Sequence, residues 1–298
     1  MTMASTEISR RDDGASANLD ADVLFVAYNR PGYTAKSLPS LLESASPGVR
    51  IWIWQNGPDQ ETLEVVRAYR GHPSVHRYHE EPENVGLYPA VAWVLGEATG
   101  RFVSKVDDDC TLPADWVSRL VAIHERNPDV GVLGCWRFQD EDFDEELASK
   151  KIRQLDGTQL LENLWVEGSG FLLKRRALDA VGGLRKGEGL PLLFKRTARA
   201  GFINGWVYPF IHQDHMDDPR SPNTLLRTDD DLLRNLPISA QRKGVRDLAS
   251  WTSQLRQSAR FVQAASVDLA DYYGPIPSVR ECLHEFRLAV RRIVAGLR

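Results

Sequence analysis

Phe102-Val103-Ser104-Lys105-Val106-Asp107-Asp108-Asp109 is an apolar run that stops on three carboxylates. Gly100 punctuates the chain just before it, closing an apolar helical stretch at residues 89–98, so residues 102–106 read as a buried strand. Side chains alternate along a strand, so Asp107 and Asp109 are expected to point together into a crevice while Asp108 points elsewhere. Three adjacent carboxylates repel one another, which calls for a cation close by, and Lys105 on the same strand is a candidate. Two converging carboxylates suit Mg²⁺ or Mn²⁺, hard cations that share oxygen ligands with the phosphates of a substrate.

Upstream of this run, residues 23–27 read as a buried strand entering the turn Tyr28-Asn29-Arg30-Pro31-Gly32, followed by a helix carrying Leu38, Leu41 and Leu42. Residues 51–54 form a second strand stopped by Asn56-Gly57-Pro58, residues 61–70 a helix, and residues 75–79 a short strand. Downstream, residues 115–126 read as a helix and 130–136 as a strand. Residues 139–151 are acidic and poor in apolar side chains, which suits a mobile loop, and residues 164–173 and 202–210 read as further strands. Short apolar runs alternating with amphipathic stretches predict an α/β fold with a mixed, mostly parallel sheet flanked by helices. In such open sheets ligands bind at the carboxyl ends of the strands, where the acidic triplet falls.

The chain has 298 residues and a formal charge of -4, with no basic patch of the kind a nucleic acid needs. Cys110, Cys135 and Cys282 show no metal spacing and no framework of pairs, which fits buried thiols in a reducing compartment. No apolar run reaches the roughly 20 residues needed to span a bilayer. These features together predict a cytoplasmic protein. Residues 1–20 are expected to be a disordered leader, residues 21–218 a catalytic domain, and residues 219–298 a helical C-terminal extension. Residues 279–297 place Leu283, Phe286, Val290, Ile293 and Val294 among Arg287, Arg291 and Arg292, an amphipathic helix that packs on its own domain or makes peripheral contact with the inner face of a membrane.

Six short motifs, in order, carry a resemblance. Residues 23–31 resemble a strand followed by Tyr-Asn-Arg-Pro. Trp54-Gln55-Asn56-Gly57-Pro58-Asp59, Asn84-Val85-Gly86-Leu87, Asp107-Asp108-Asp109 with Pro113 and Trp116, Glu167-Gly168-Ser169-Gly170-Phe171, and Val181-Gly182-Gly183-Leu184 then follow. Over residues 22 to about 215 this pattern resembles glycosyltransferase family 2, inverting enzymes of the GT-A (Rossmann-like) fold. The resemblance implies transfer of a sugar from a nucleotide-sugar donor to a hydroxyl of a glycan or lipid-linked acceptor, assisted by Mn²⁺ or Mg²⁺. It implies donor contacts from Tyr28, Asn29, Arg30, Gln55, Asn56, Asn84, Gly86, Lys105, Asp107 and Asp108. Asp109 would bind the metal with His212 or His215, of which His212 directly follows an apolar strand. Glu188 would be the general base, with Asp214 as the substitute. Two departures stand out: Gln55 replaces the usual base-reading Asp, which weakens the case for uracil, and Gly189 replaces the Asp that usually follows Glu188. They leave open an alternative, a catalytically inactive sugar-nucleotide or glycan-binding protein of the same fold.

Overall fold

The computed structural model describes residues 20–235, 240–241 and 243–273. Nine strands form one sheet in the order β3-β2-β1-β4-β9-β6-β10-β8-β7. Its first half is parallel: β1 (Ala21–Ala27) lies between β2 (Val49–Asn56) and β4 (Phe102–Asp107), with β3 (Val75–Glu81) outside β2. The second half is mostly antiparallel and comprises β9 (Phe171–Lys174), β6 (Val130–Gly134), β10 (Ile203–Tyr208), β8 (Thr158–Glu162) and β7 (Ile152–Leu155). Only β6 and β10 run parallel there. A separate two-stranded ladder pairs β5 (Cys110–Thr111) with β11 (Asp214–His215).

Every residue of β1 is buried, as expected for a central strand covered on both faces. The period-2 alternation divides its side chains between two cores. Leu24 and Val26 join Trp52, Trp54 and Val103 on one face, whereas Val23 and Phe25 join Ile51, Ile53 and Val106 on the other. The exception is Asp22, whose carboxylate is fully buried and accepts from Arg50 Nε at 2.7 Å, Trp52 Nε1 at 2.8 Å and the Gly100 amide at 2.8 Å. Burial disfavours its charge, yet these donors outweigh the burial and hold the pKa below its usual value. One side chain thereby ties the starts of β1, β2 and β4 together.

Helices α1 (Pro31–Glu43), α2 (Gln60–Ala68), α3 (Leu87–Glu97) and α4 (Trp116–Arg126) connect the strands. Pro31 opens α1 at a position whose N–H would be unpaired in any case. Asp59 caps α2, accepting from the Thr62 amide at 2.8 Å.

Two expectations are corrected in the second half. Residues 139–151 are not a bare loop: they contain a 3-10 turn (Asp140–Asp142) and a short helix α5 (Glu145–Ser149) capped by Asp144. Residues 164–173 are not one strand, since the chain leaves the sheet after β8 and rejoins it only at β9, turning at Gly170 with φ +63°. The hairpin of β7 and β8 was not anticipated, although Asp156-Gly157 between them is a strong signal for a two-residue turn, and Gly157 has φ +72°.

After α6 (Arg175–Ala180) and α7 (Leu190–Arg199), the C-terminal region is helical, with α8 (Asp229–Arg234), α9 (Leu248–Ala264) and α10 (Ala270–Tyr273). It is not a detached appendage. The Gln263 amide bridges the Asp144 N–H and the Asp142 carbonyl, Lys151 Nζ donates to the Val262 carbonyl at 2.8 Å, and Ala259 and Val262 belong to the main core. No helix among the described residues is long and apolar enough to cross a membrane. The leader at residues 1–19 and the basic amphipathic stretch at residues 279–297 lie outside the described residues.

Candidate active site

The carboxyl ends of β1, β2 and β4 open into a cleft of about 720 Å³, inside the roughly 300–1,000 Å³ typical of small-molecule sites. Tyr28, Asn29, Arg30, Asn56, Asn84 and Gly86 line one part of it, and the acidic triplet lies beside them. Asn56 organises the first wall: its Nδ2 donates to Asn84 Oδ1 at 2.9 Å and its Oδ1 accepts from the Val85 amide at 3.1 Å. Asn29 takes φ +51°, a left-handed conformation that asparagine tolerates, and Gly86 takes φ +78°. The Tyr28 ring packs against Gly57, where a Cβ would stand 3.3 Å from the ring, so the glycine lets the aromatic lie flat against the turn.

The triplet does not follow strand alternation, because β4 ends at Asp107 and a turn begins. All three carboxylates line the cleft. Asp107 is paired with the buried ammonium of Lys105. Asp108 accepts from the Tyr28 amide at 3.0 Å and stands 3.7 Å from Arg30 Nη1. Burial pushes the Asp108 carboxyl up to about 7, against the pull of Arg30. Asp109 accepts from Arg30 Nη1 at 3.1 Å and lies 3.8 Å from His215 Nε2.

The cation demanded by three carboxylates is therefore mainly Arg30. Its guanidinium joins Asp108 and Asp109 to Asp217, which arrives from the loop after β11 and which the sequence reading did not include. Asp217 is 1% exposed, and its backbone carbonyl accepts from Trp251 Nε1 of α9 at 2.7 Å. The C-terminal region thus buttresses the acidic cluster directly. It also contributes Leu233, Arg234 and Gln241 to the cleft wall.

Asp109, His215 and Asp217 present ligand atoms all within 4.8 Å of one another, a set able to hold a metal ion. Burial pushes His215 down to about 4 despite the neighbouring Asp109, so the imidazole is neutral at pH 7 with a lone pair to offer. Two carboxylates and a neutral imidazole fit Mn²⁺, or Mg²⁺ with fewer protein ligands. His212 takes another course: it stands 3.3 Å from Asp140 with 46% of its side chain exposed, and its ring abuts Phe210. Of the two histidines it is His215 that joins the acidic cluster, because β11 turns the residues after His212 back onto β5 and pairs His215 with Cys110.

Four other sequence candidates also fall outside the lining of the cleft, the first being Lys105, which is buried and reaches the cleft only through its pairing with Asp107. Gln55 is fully buried, and its amide nitrogen donates to the Gly57 carbonyl at 3.2 Å, so it shapes the turn instead of facing a base. Asp214 accepts from Asn223 Nδ2 at 2.7 Å. Glu188 is clamped by Arg196, with Nε at 2.7 Å and Nη2 at 2.6 Å, and also accepts from the Arg185 amide at 3.0 Å. Burial opposes its charge, but Arg196 and Arg185 prevail and lower its pKa, the reverse of what a general base needs.

The side chains of this pair are only 8% and 11% exposed, so Glu188→Ala is expected to cost about 3 kcal/mol of stability by stranding Arg196. Any turnover per folded molecule should stay within twofold of the parent. Because the carboxyl pKa is lowered on folding, the stabilisation is full above the unfolded value near ~4.3. It is lost as pH falls from there through the lowered folded value, so the gap between the two proteins in urea unfolding should narrow progressively below the unfolded value. A stability gap that persisted unchanged at pH 3 would contradict the ion-pair role.

Comparison with known proteins defines the class. The family model described as "Glycosyl transferase family 2" matches residues 22–182, more than half of the chain. The chain belongs to glycosyl transferase family 2, and its sheet and helices have the GT-A architecture. It is 32% identical over 115 residues to an N-acetylglucosaminyltransferase of Rhizobium meliloti (strain 1021), covering 38% of this chain and 27% of that protein. It is 25% identical over 197 residues to the glycosyltransferase GlyA of Streptococcus pneumoniae serotype 4, covering 62% of this chain and again 27% of the other. The chain thus spans about a quarter of the length of these curated relatives. Among solved structures it resembles the mannosyltransferase PcManGT from Pyrobaculum calidifontis in complex with GDP-Man and Mn²⁺, with TM-score 0.54, 20% identity, and 91% of this chain and 80% of that one covered. It also resembles S. aureus TarS 1-349 in complex with UDP-GlcNAc, with TM-score 0.51, 15% identity, and coverage of 85% and 89%.

Proposed function

We propose that the chain transfers a sugar from a nucleotide-sugar donor to a hydroxyl of a glycan or lipid-linked acceptor, with inversion at the anomeric carbon. The observation that carries this reading is the cluster of Asp107, Asp108, Asp109, His215 and Asp217 in one cleft with Tyr28, Asn56 and Asn84. Solved neighbours of the same architecture carry GDP-Man with Mn²⁺ and UDP-GlcNAc, donors of the size this cleft accommodates.

In this reading Tyr28 offers its ring face to the nucleobase. Asn84 and the backbone at Gly86 line the path between base and phosphates. Asp107, paired with Lys105, hydrogen-bonds donor hydroxyls. Asp109, His215 and Asp217 would hold Mn²⁺ or Mg²⁺, which as a Lewis acid neutralises the departing diphosphate. Arg30 holds Asp108, Asp109 and Asp217 together before donor arrives.

A second reading, a sugar-nucleotide-binding protein without catalysis, is favoured by one observation: Glu188 is sequestered and α7 begins with Leu190, leaving no carboxylate at that helix start. A panel of UDP-, GDP-, CDP- and dTDP-sugars, tested with and without Mn²⁺ by thermal shift and by release of nucleoside diphosphate, separates the two. Transfer predicts a Mn²⁺-dependent shift with at least one donor together with nucleotide release. A shift without release supports the binding protein, and no shift with any donor rejects both.

A further inference from the structure

Resting on the transferase reading, the sequestration of Glu188 leaves the acceptor's proton without an acceptor, and the cleft offers six carboxylates among the described residues: Asp59, Asp107, Asp108, Asp109, Asp217 and Glu167. Five are committed. Asp59 caps α2, Asp107 is paired with Lys105, and Asp108, Asp109 and Asp217 share Arg30. Glu167 differs from them all. One of its oxygens accepts a neutral indole hydrogen bond, from Trp206 Nε1 at 3.0 Å, and the other lies 3.9 Å from Arg137 Nε, beyond hydrogen-bond distance.

Its place in the chain suits the acceptor side. Glu167-Gly168-Ser169 precedes β9 and lines the cleft. Ser169 Oγ accepts from the Asp107 amide at 3.0 Å, fixing this segment against the end of β4. Gly168 faces Leu190, with a Cβ there standing 3.5 Å from the leucine side chain, so the segment lies against the start of α7 where a base carboxylate was expected. The surrounding wall is polar and unspent. Gln213, 3% exposed and lining the cleft, has neither side-chain atom hydrogen-bonded, and Arg137 Nε makes no hydrogen bond either among the described residues. Both residues contribute to the cleft wall, and among the described residues no other carboxylate there competes with Glu167 for Arg137.

We infer that Glu167 is the general base, receiving the proton of the acceptor hydroxyl with the Arg137 guanidinium beside it. The acceptor oxygen forms the new bond to the anomeric carbon, and the bond from that carbon to the β-phosphate oxygen breaks. The electron pair leaves with the nucleoside diphosphate, and the hydroxyl proton ends on a Glu167 oxygen. Burial raises the carboxyl pKa above its ordinary value, with Arg137 limiting the rise, which brings its proton affinity closer to that of the task. A carboxylate gripped by a bidentate arginine, as Glu188 is, has the opposite property.

The test is Glu167→Gln, which keeps an oxygen for Trp206, beside Glu167→Asp and the parent protein. UDP-GlcNAc and GDP-mannose serve as donors with Mn²⁺ and water as the acceptor, read as nucleotide release; UDP and GDP binding is titrated in parallel. The expected result is a fall in turnover of about 10²–10³-fold in Glu167→Gln with nucleotide affinity unchanged within twofold. The acidic limb of the pH–rate profile should vanish in Glu167→Gln and persist, at reduced rate, in Glu167→Asp. Turnover within threefold of the parent overturns the assignment while leaving the transferase reading intact, and so does a matching loss of nucleotide affinity. A parent protein that binds nucleotide and releases it from no donor of the UDP-, GDP-, CDP- and dTDP-sugar panel overturns both.

Discussion

Asp109→Ala is expected to lower metal-dependent turnover by about 10³-fold, because several kcal/mol of charge stabilisation on the leaving diphosphate would be lost with the metal. Asp109 sits at the junction of the whole cluster, touching Arg30 on one side and facing His215 on the other, and it is one of three residues whose ligand atoms converge. The effect should be separable from misfolding: titration of Mn²⁺ by electron paramagnetic resonance should show weakened binding in a protein whose circular dichroism matches the parent. Asp217→Asn should behave likewise, whereas His212→Ala, outside the cluster, should leave Mn²⁺ binding unchanged. Equal Mn²⁺ affinity in Asp109→Ala and the parent would remove the metal site from this position.

Arg30→Met carries the largest expected change in stability. The guanidinium is 15% exposed and satisfies Asp108, Asp109 and Asp217, side chains that are 9%, 14% and 2% exposed. Its removal leaves buried carboxylates facing one another, a situation that costs about 3–5 kcal/mol when a buried pair loses one member. Mn²⁺ supplies charge at the same place. Added Mn²⁺ should therefore raise the midpoint of Arg30→Met by several degrees more than it raises that of the parent, where it competes with the arginine. An equal rise in both proteins would mean that Arg30 and the metal do not share these carboxylates.

The parallel half of the fold was legible because its signals are local. In residues 102–107 an apolar run meets carboxylates, and residues 21–27 and 49–56 are continuous buried strands bounded by turn residues, which periodicity and punctuation detect. The antiparallel half was read less well because its strands are short and its connections carry the information. The Asp156-Gly157 turn is the one local mark of the β7–β8 hairpin, while residues 163–170, apolar enough for a strand, are kept out of the sheet by tertiary contacts such as the Asn204 amide bonding to the Leu164 carbonyl.

The site divides in the same manner. Tyr28, Asn56, Asn84 and the acidic triplet stand at the ends of readable strands and do line the cleft. Asp217 is one of several acidic residues in a loop, and nothing in the local pattern distinguishes it from Asp214 or Asp218; only its approach to Arg30, 187 positions away, singles it out. Glu188 looked free in sequence because its partner Arg196 lies across the start of α7, eight residues on. Glu167 falls within residues 164–173, apolar enough to read as a strand, whereas the chain there is irregular and opens onto the cleft.

The link from Trp251 to the Asp217 backbone has a bearing on how the protein is made. As the chain emerges during synthesis, the parallel strands and the acidic triplet come first, and Arg30 is already present to neutralise Asp108 and Asp109. Asp217 and its indole support follow much later, by several seconds at about 5–20 residues per second. Throughout that interval the chain carries Arg30 and only one of the three convergent residues, Asp109. The three convergent residues are therefore all present only after residue 217 has been made, and the indole that supports Asp217 comes 34 residues later still.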